Sequence, residues 1–331
     1  PAEAAEGLEP MQLLVLLAPG RLLRGPSRAM DVEFPAAQAR HIPVLPLLME
    51  PGLEEAFDQA CGNLQGLARY QRGRISGGEP GPGTPLAQGR FGNTYEDQLK
   101  MFLDRVLVGE AMAEEVRGAF LARFFLSYRK KDRRRIYDLI RLIHSRGAWQ
   151  DVAIWYDELL TPGEYFDAEI DAVLRRSDLF LLAVTPHVLE GDNYVKDIEY
   201  PAALEAGKPI VPVELAPTDR EALEAAFQGL PPCAGIREEG ELFQYLEDIT
   251  GGAVTSERVG DWPAHDFAMG LAYLCGIDVE VDRARGAARI TRAAEAGHPG
   301  AIQQLVQMYQ TGNGVARNDR AGLRWQRRLA E

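Results

Sequence analysis

The chain has 331 residues, 46% hydrophobic and 26% charged, with a net charge of −13. That length predicts two to three globular domains, each able to bury a core, and the acidic balance argues against a nucleic-acid-binding face, which needs a basic stripe. Three dispersed cysteines, Cys61, Cys233 and Cys275, predict neither a zinc site nor a disulfide framework and fit a reducing, cytoplasmic setting.

Glu3, Glu6 and Glu9 precede the first apolar run, unlike a signal peptide. A start at Pro1 rather than Met reads as a fragment. No apolar run reaches the roughly 20 residues that span a bilayer, so no membrane partner is expected. Gln12–Ala18 is a continuous apolar run of strand length, the mark of a parallel strand buried on both faces. Ser27–Arg40 has helical spacing, and Ile42–Leu48 is a second buried-strand candidate. Residues 1–71 thus read as a strand-helix-strand-helix half-domain. Residues 72–93 are crowded with Gly and Pro and read as a loop or linker. Residues 94–122 return to a 3.6-residue period through Leu99, Phe102, Leu103, Val106 and Leu107, with a break at Gly109.

Strands and helices then alternate over residues 123–250. Phe124–Ser127 reads as a strand and Asp132–Arg146 as an amphipathic helix with Ile136, Leu139, Ile140 and Ile143 on one face, capped by Gly147. A strand at Val152–Tyr156 leads into the polar loop Asp157–Glu164. A helix at Phe166–Arg176, a strand at Asp178–Val184 and a helix over Asn193–Ala206 follow. Strands at Ile210–Glu214 and near Cys233–Ile236 complete a doubly wound parallel sheet, whose ligands gather at the carboxyl ends of the strands. The basic runs Arg129-Lys130-Lys131 and Arg133-Arg134-Arg135 read as solvated surface. After a linker at 251–262, residues 263–331 change to a helical repeat: Tyr273 and Tyr309, like Gly276 and Gly312, are 36 positions apart, a helix-pair period.

Part of the chain occurs twice. Leu13–Pro19 parallels Leu179–Pro186, Asp31-Val32-Glu33-Phe34-Pro35-Ala36-Ala37 echoes Asp197-Ile198-Glu199-Tyr200-Pro201-Ala202-Ala203, and Ile42–Leu47 parallels Ile210–Leu215. Only the second copy has a strand and helix ahead of it that complete a domain, so Glu33 reads as a structural relic. Asp197 and Glu199 are two positions apart and cannot point into one cleft. Glu199 is preferred because Tyr-Pro-Ala-Ala follows it; Pro201 suits a first helical turn, whose dipole would favour an ionised carboxylate.

Phe124-Phe125-Leu126-Ser127-Tyr128-Arg129-Lys130-Lys131-Asp132 resembles the first signature box of Toll/interleukin-1 receptor (TIR) domains. Ile154-Trp155-Tyr156-Asp157-Glu158 with Leu160-Thr161-Pro162-Gly163-Glu164 resembles the second strand and its BB loop. Ser177–Leu182, Thr185-Pro186 and Glu199-Tyr200-Pro201-Ala202-Ala203 follow in family order. The resemblance implies an α/β, flavodoxin-like TIR domain of bacterial type at 123–250, preceded by a partial copy and followed by a tail similar to Sel-one-like repeats, best matched at Gly312-Asn313-Gly314-Val315 and Asp319.

It further implies cleavage of NAD between nicotinamide and ribose, with NAD as substrate and neither cofactor nor metal, in bacterial immunity or signalling. Glu199 matches the family's catalytic glutamate, although the aromatic often found four residues earlier stands five earlier here, at Tyr194. Ser127, Tyr128, Arg129, Trp155, Tyr156 and Asp157 are substrate-binding candidates, with one of Trp155 and Tyr156 facing the cleft and the other the core. Glu158, Thr161, Pro162, Gly163 and Glu164 shape the BB loop. The implied partners are NAD, other TIR domains and a protein bound by the repeats. The alternative is a TIR scaffold without catalysis. His144, His187, His265 and His298 lack ligand spacing, and the glycines form neither a Walker loop nor a dinucleotide fingerprint.

Overall fold

The computed structural model describes residues 11–62, 64–68, 95–160, 165–191, 193–236, 239–255, 259 and 261–330. It divides into two compact units, residues 1–113 with 160–169, and residues 114–159 with 170–331. The Gly/Pro-rich stretch 72–93 lies outside the described residues.

The first unit carries β1 (Leu14–Ala18), α1 (Phe34–Ala39), β2 (Val44–Leu48), α2 (Glu54–Cys61), β3 (Leu67–Ala68) and α3 (Tyr95–Val108), with β1, β2 and β3 in a parallel sheet. Leu16, Ala18, Phe34, Ala37 and Phe57 form a core on one face of this sheet, and Leu45, Leu47, Leu67 and Phe102 form one on the other. Gly109, at φ +75°, ends α3 and α4 (Glu110–Ala119) follows, matching the break read at that glycine.

The full alternation follows along the chain: β4 (Ala122–Ser127), α5 (Arg133–Ile143), β5 (Val152–Trp155), α6 (Phe166–Arg176, whose residues up to 169 are grouped with the first unit), β6 (Leu179–Val184), α7 (Tyr200–Glu205), β7 (Ile210–Glu214), α8 (Arg220–Ala226), β8 (Ala234–Gly235) and α9 (Glu239–Thr250). The parallel strand order β5-β4-β6-β7-β8 is the flavodoxin-like doubly wound arrangement, and its order reverses between β4 and β6. Helix α5 forms as its spacing dictates, with Ile136, Leu139, Ile140 and Ile143 buried together. Its C-cap is His144 rather than Gly147; Gly147 instead opens a short 3-10 turn, Gly147–Asp151, that feeds β5.

Backbone geometry makes the internal repetition ungapped over residues 13–48 and 179–214. Leu16 pairs with Pro46 as Leu182 pairs with Pro212, so Val44, not Ile42, corresponds to Ile210, a constant offset of 166. Each copy has a π-helical turn, Ala29–Glu33 and Val195–Glu199, ahead of its short α-helix. Ser27 and Asn193 cap those turns identically, each backbone N–H donating to the aspartate four residues on at 2.8 Å. Both prolines sit where no ladder bond is needed. Their nitrogens face β3 or β8, which begin pairing only one residue later, at Leu47 and Val213.

The tail is α10 (Trp262–Cys275), α11 (Arg283–Glu295), α12 (Pro299–Thr311) and α13 (Asp319–Ala330). The 36-residue spacing recurs in its hydrogen bonds: Asp282 N donates to Tyr273 O at 2.9 Å, and Asn318 N to Tyr309 O at 2.8 Å. Gly276 and Gly312 end α10 and α12 in the left-handed region that favours glycine. Helices α10 and α11 approach closely at Gly270 and Gly286, where a Cβ on Gly286 would lie 2.9 Å from the Gly270 carbonyl oxygen. Within this unit the tail meets the sheet domain through buried ions. Arg289 Nη2 donates to Asp151 Oδ1 at 2.5 Å and its Nη1 to Asp266 Oδ1 at 2.9 Å, while His265 Nε2 lies 2.9 Å from Asp151 Oδ2. Among the described residues no helix is long and apolar enough to cross a membrane.

Candidate active site

The sheet reverses its strand order between β4 and β6, and two side chains meet there. Ser127 is the last residue of β4, and Glu199 ends the π-helical turn that follows β6. Ser127 Oγ donates to Glu199 Oε2 at 2.5 Å. The turn aims Glu199 inward. Asn193 Oδ1 accepts from Lys196 N at 2.8 Å and Asp197 Oδ2 from Asn193 N at 2.8 Å, closing the turn reciprocally. Pro201 then occupies the first turn of α7, where a missing N–H costs nothing. Asp197 and Glu199 therefore separate: Asp197 is exposed and caps its own turn, whereas Glu199 is 8% exposed.

Burial decides the electrostatics of Glu199. Desolvation pushes its carboxyl up to about 7, with a further push from the Asp157 charge; the Ser127 hydrogen bond and Lys130 pull the other way. This reverses the expected balance, in which the helix dipole favours the ionised form. A six-residue helix offers a small dipole, and the loss of water around the carboxylate outweighs it.

A polar network borders this pair. The Tyr128 hydroxyl lies 2.8 Å from Asp157 Oδ1 and 3.1 Å from Glu158 Oε1; with one proton it donates to one at a time. Tyr137 OH donates to Glu158 Oε2 at 2.5 Å, and Arg133 pairs with the same carboxylate. Lys130 stands 3.5 Å from Asp157 and Lys131 2.6 Å from Glu190. The basic runs are largely exposed, as read, with only Arg129 and Arg133 half-buried, and Lys130, Lys131, Arg133 and Arg135 each stand beside a carboxylate. The Glu190 carboxyl is held below its ordinary value chiefly by Lys131, with lesser contributions from His187 and Arg129.

Trp155 and Tyr156 do not divide between cleft and core. They are 5% and 1% exposed, because both faces of a doubly wound sheet are covered. Trp155 stacks on Phe125 with centroids 5.3 Å apart. Tyr156 contacts the rings of Tyr128 and Tyr137, and its hydroxyl meets Glu280 of the tail. Thr161, Pro162, Gly163 and Glu164 lie outside the described residues. Beyond them, Tyr165 belongs to the first unit, bridging Leu64 and packing against the Leu16–Phe57 core.

Sequence reasoning missed a second buried carboxylate. Asp132 accepts from Thr185 Oγ1 at 2.6 Å and lies 2.9 Å from His187 Nδ1, joining the segment after β4 to the loop after β6. Thr185-Pro186 was visible as a family element, but nothing in the spacing linked it to Asp132, 53 positions earlier. At the corresponding place in the first unit, Glu33 is half-exposed and pairs with Arg28 at 3.1 Å.

Residues 124–238 match the family model described as TIR domain. Neither the comparison with curated proteins nor that with solved structures returned a match.

Proposed function

We propose that the TIR domain at residues 124–238 hydrolyses NAD at the bond between nicotinamide and ribose, with Glu199 as the catalytic carboxylate. One observation carries this reading: a buried carboxylate, oriented by the last residue of β4, at the switch point where doubly wound sheets bind ligands. Nicotinamide departs with the electron pair of the glycosidic bond and leaves positive charge on the ribose. An ionised Glu199 offsets that charge. Water then adds to the anomeric carbon and gives its proton to Glu199, yielding ADP-ribose; attack by a ring nitrogen of the adenine instead gives a cyclic product. Ser127 orients the carboxylate. Tyr128, Arg129 and Asp157 line the approach for the phosphates and ribose hydroxyls. Trp155 and Tyr156 support the site from within the core.

The test is nicotinamide release from NAD by the purified chain, at concentrations high enough to allow self-association. Because the reactive form is ionised and Glu199 titrates near 7, the rate is expected to rise with pH through about 7 as a single ionisation. Ser127→Ala removes a hydrogen bond that lowers this pKa, so its profile should shift to higher pH with a smaller loss at the plateau. A pH-independent rate would count against Glu199.

A second reading is favoured by the burial itself. With Glu199 only 8% exposed and the Tyr128 hydroxyl engaged by the Asp157 and Glu158 carboxylates, the domain suits a TIR scaffold that binds other TIR domains, the repeats docking a protein. No nicotinamide at any protein concentration, together with concentration-dependent self-association, would select it. Both readings place the protein in signalling.

A further inference from the structure

The two helix pairs of the tail differ where they turn. Residues 276–282, between α10 and α11, correspond at the 36-residue spacing to residues 312–318, between α12 and α13. Asp278 then stands where the later loop has Gly314, and Glu280 where it has Ala316. Asp278 and Gly314 both lie at positive φ, +53° and +76°. Glycine adopts that conformation freely, whereas a residue with a Cβ is strained there. The turn itself therefore calls for neither carboxylate, and both reach the sheet domain instead. Asp278 Oδ1 accepts from Arg176 Nη2 at 3.4 Å and stands 3.8 Å from Arg117 Nε. Glu280 accepts from the Tyr156 hydroxyl. Just before this loop, Tyr273 OH donates to Gln150 O at 2.6 Å.

Tyr156 directly follows β5 and is buried. Its ring meets those of Tyr128 and Tyr137 edge-on, with centroids 6.3 and 6.2 Å apart. The hydroxyls of these two neighbours engage the Asp157 and Glu158 carboxylates, and the Asp157 charge acts in turn on Glu199. A line of contacts thus runs from Glu280 in the tail, through two packed rings, to the carboxylates beside Glu199. Close-packed interiors transmit displacement, because a shifted ring has no empty space to take up. Backbone turns on both sides share the line: Leu159 N donates to Tyr156 O at 2.9 Å, and Asp132 N to Arg129 O at 2.7 Å.

We propose that Glu280 is a positioning residue for the site, a role that rests on the hydrolysis reading: by holding the Tyr156 phenol it fixes Tyr128, and through Tyr128 Asp157, in the geometry that receives the ribose of NAD. The first repeat is then part of the site and not a separate appendage. Three variants of the full chain test this. Glu280→Leu takes away the acceptor, Glu280→Gln keeps one, and Tyr156→Phe takes away the donor while leaving the ring. Glu280→Leu and Tyr156→Phe should each raise KM for NAD about fivefold, the scale of one hydrogen bond. Both should leave kcat within twofold, because the displaced groups bind substrate and Glu199 stays. The double variant should be no worse than either single one, and Glu280→Gln should match wild type. Amide exchange gives a readout without NAD. The Leu159 and Asp132 N–H groups should exchange faster in Glu280→Leu and Tyr156→Phe, while Asn318, bonded to Tyr309 in the later repeat, keeps its rate. Unchanged exchange at Leu159 and Asp132, additive effects on KM, or equal harm from Gln and Leu would overturn the proposal. Absence of nicotinamide release from wild type would instead remove the hydrolysis reading, and the exchange rates would still decide whether Glu280 holds Tyr156 against Tyr128.

Discussion

Glu199→Gln is expected to lower nicotinamide release by about 10³-fold while making the protein more stable at alkaline pH. The first effect follows from charge. Glutamine keeps an oxygen to accept the Ser127 hydrogen bond but has no negative charge to set against the ribosyl cation, and removing one preorganised electrostatic group costs on the order of 10²–10³ in rate. The second follows from linkage. Burial pushes the Glu199 carboxyl up to about 7 in the fold, against 4.5 for an ordinary glutamate. A carboxyl raised in the folded state costs nothing below pH 4.5, where both states are protonated. Its cost grows as pH rises from 4.5 through 7 and levels at roughly 3 kcal/mol above that. The variant has no such group. Wild type and Glu199→Gln should therefore melt alike near pH 4 and diverge by pH 8, with the variant higher. Denaturation at the two pH values measures this directly. Equal stability at pH 8 would mean that Glu199 is hydrated, and undiminished nicotinamide release would remove it from catalysis. The opposite signs matter, because a merely destabilised mutant could not lose activity and gain stability together.

The other large effect is expected at Asp151. This carboxylate receives Arg289 at 2.5 Å and faces His265 at 2.9 Å, all buried. Asp151→Ala leaves the Arg289 guanidinium short of an acceptor out of water, at a cost of about 3–5 kcal/mol. That is a large share of the stability of an ordinary domain. Asp266 also holds Arg289, at 2.9 Å, and Arg292 Nε at 2.9 Å, so the network would not dissolve entirely. Pairing Asp151→Leu with Arg289→Met removes both charges and should recover most of the loss, since apolar substitutes for a buried ion pair are often neutral. Urea unfolding of the single and double variants checks both expectations. A cost below about 1 kcal/mol for Asp151→Ala would show that water reaches the pair.

Local chemistry was readable along the chain. The β7 strand, the α6 helix and the break at Gly109 follow from apolar runs, a 3.6-residue period and a left-handed glycine, none of which needs a distant partner. The repeat was legible too, but its register was not. Matching residue types suggested Ile42 against Ile210, whereas the parallel ladders set Val44 there, because a register is a property of two strands and not of one. The Gly147 cap failed for a similar reason. A glycine signals a positive φ without saying whether a helix has already ended, as it had at His144.

By itself the sequence determined the strand and helix alternation, the family boxes, and Glu199 as the carboxylate to watch. These depend on residue identities within short spans, where periodicity and turn chemistry act. Only the tertiary structure decided what Glu199 is. Asp197 turns outward while Glu199 turns inward to Ser127, 72 positions earlier, and burial reverses the titration that a helix dipole alone would favour. Only the tertiary structure, too, set β6 between β4 and β7. Desolvation, strand pairing and buried ion pairs arise between residues far apart in the chain, so they come into being only when the fold brings those residues together.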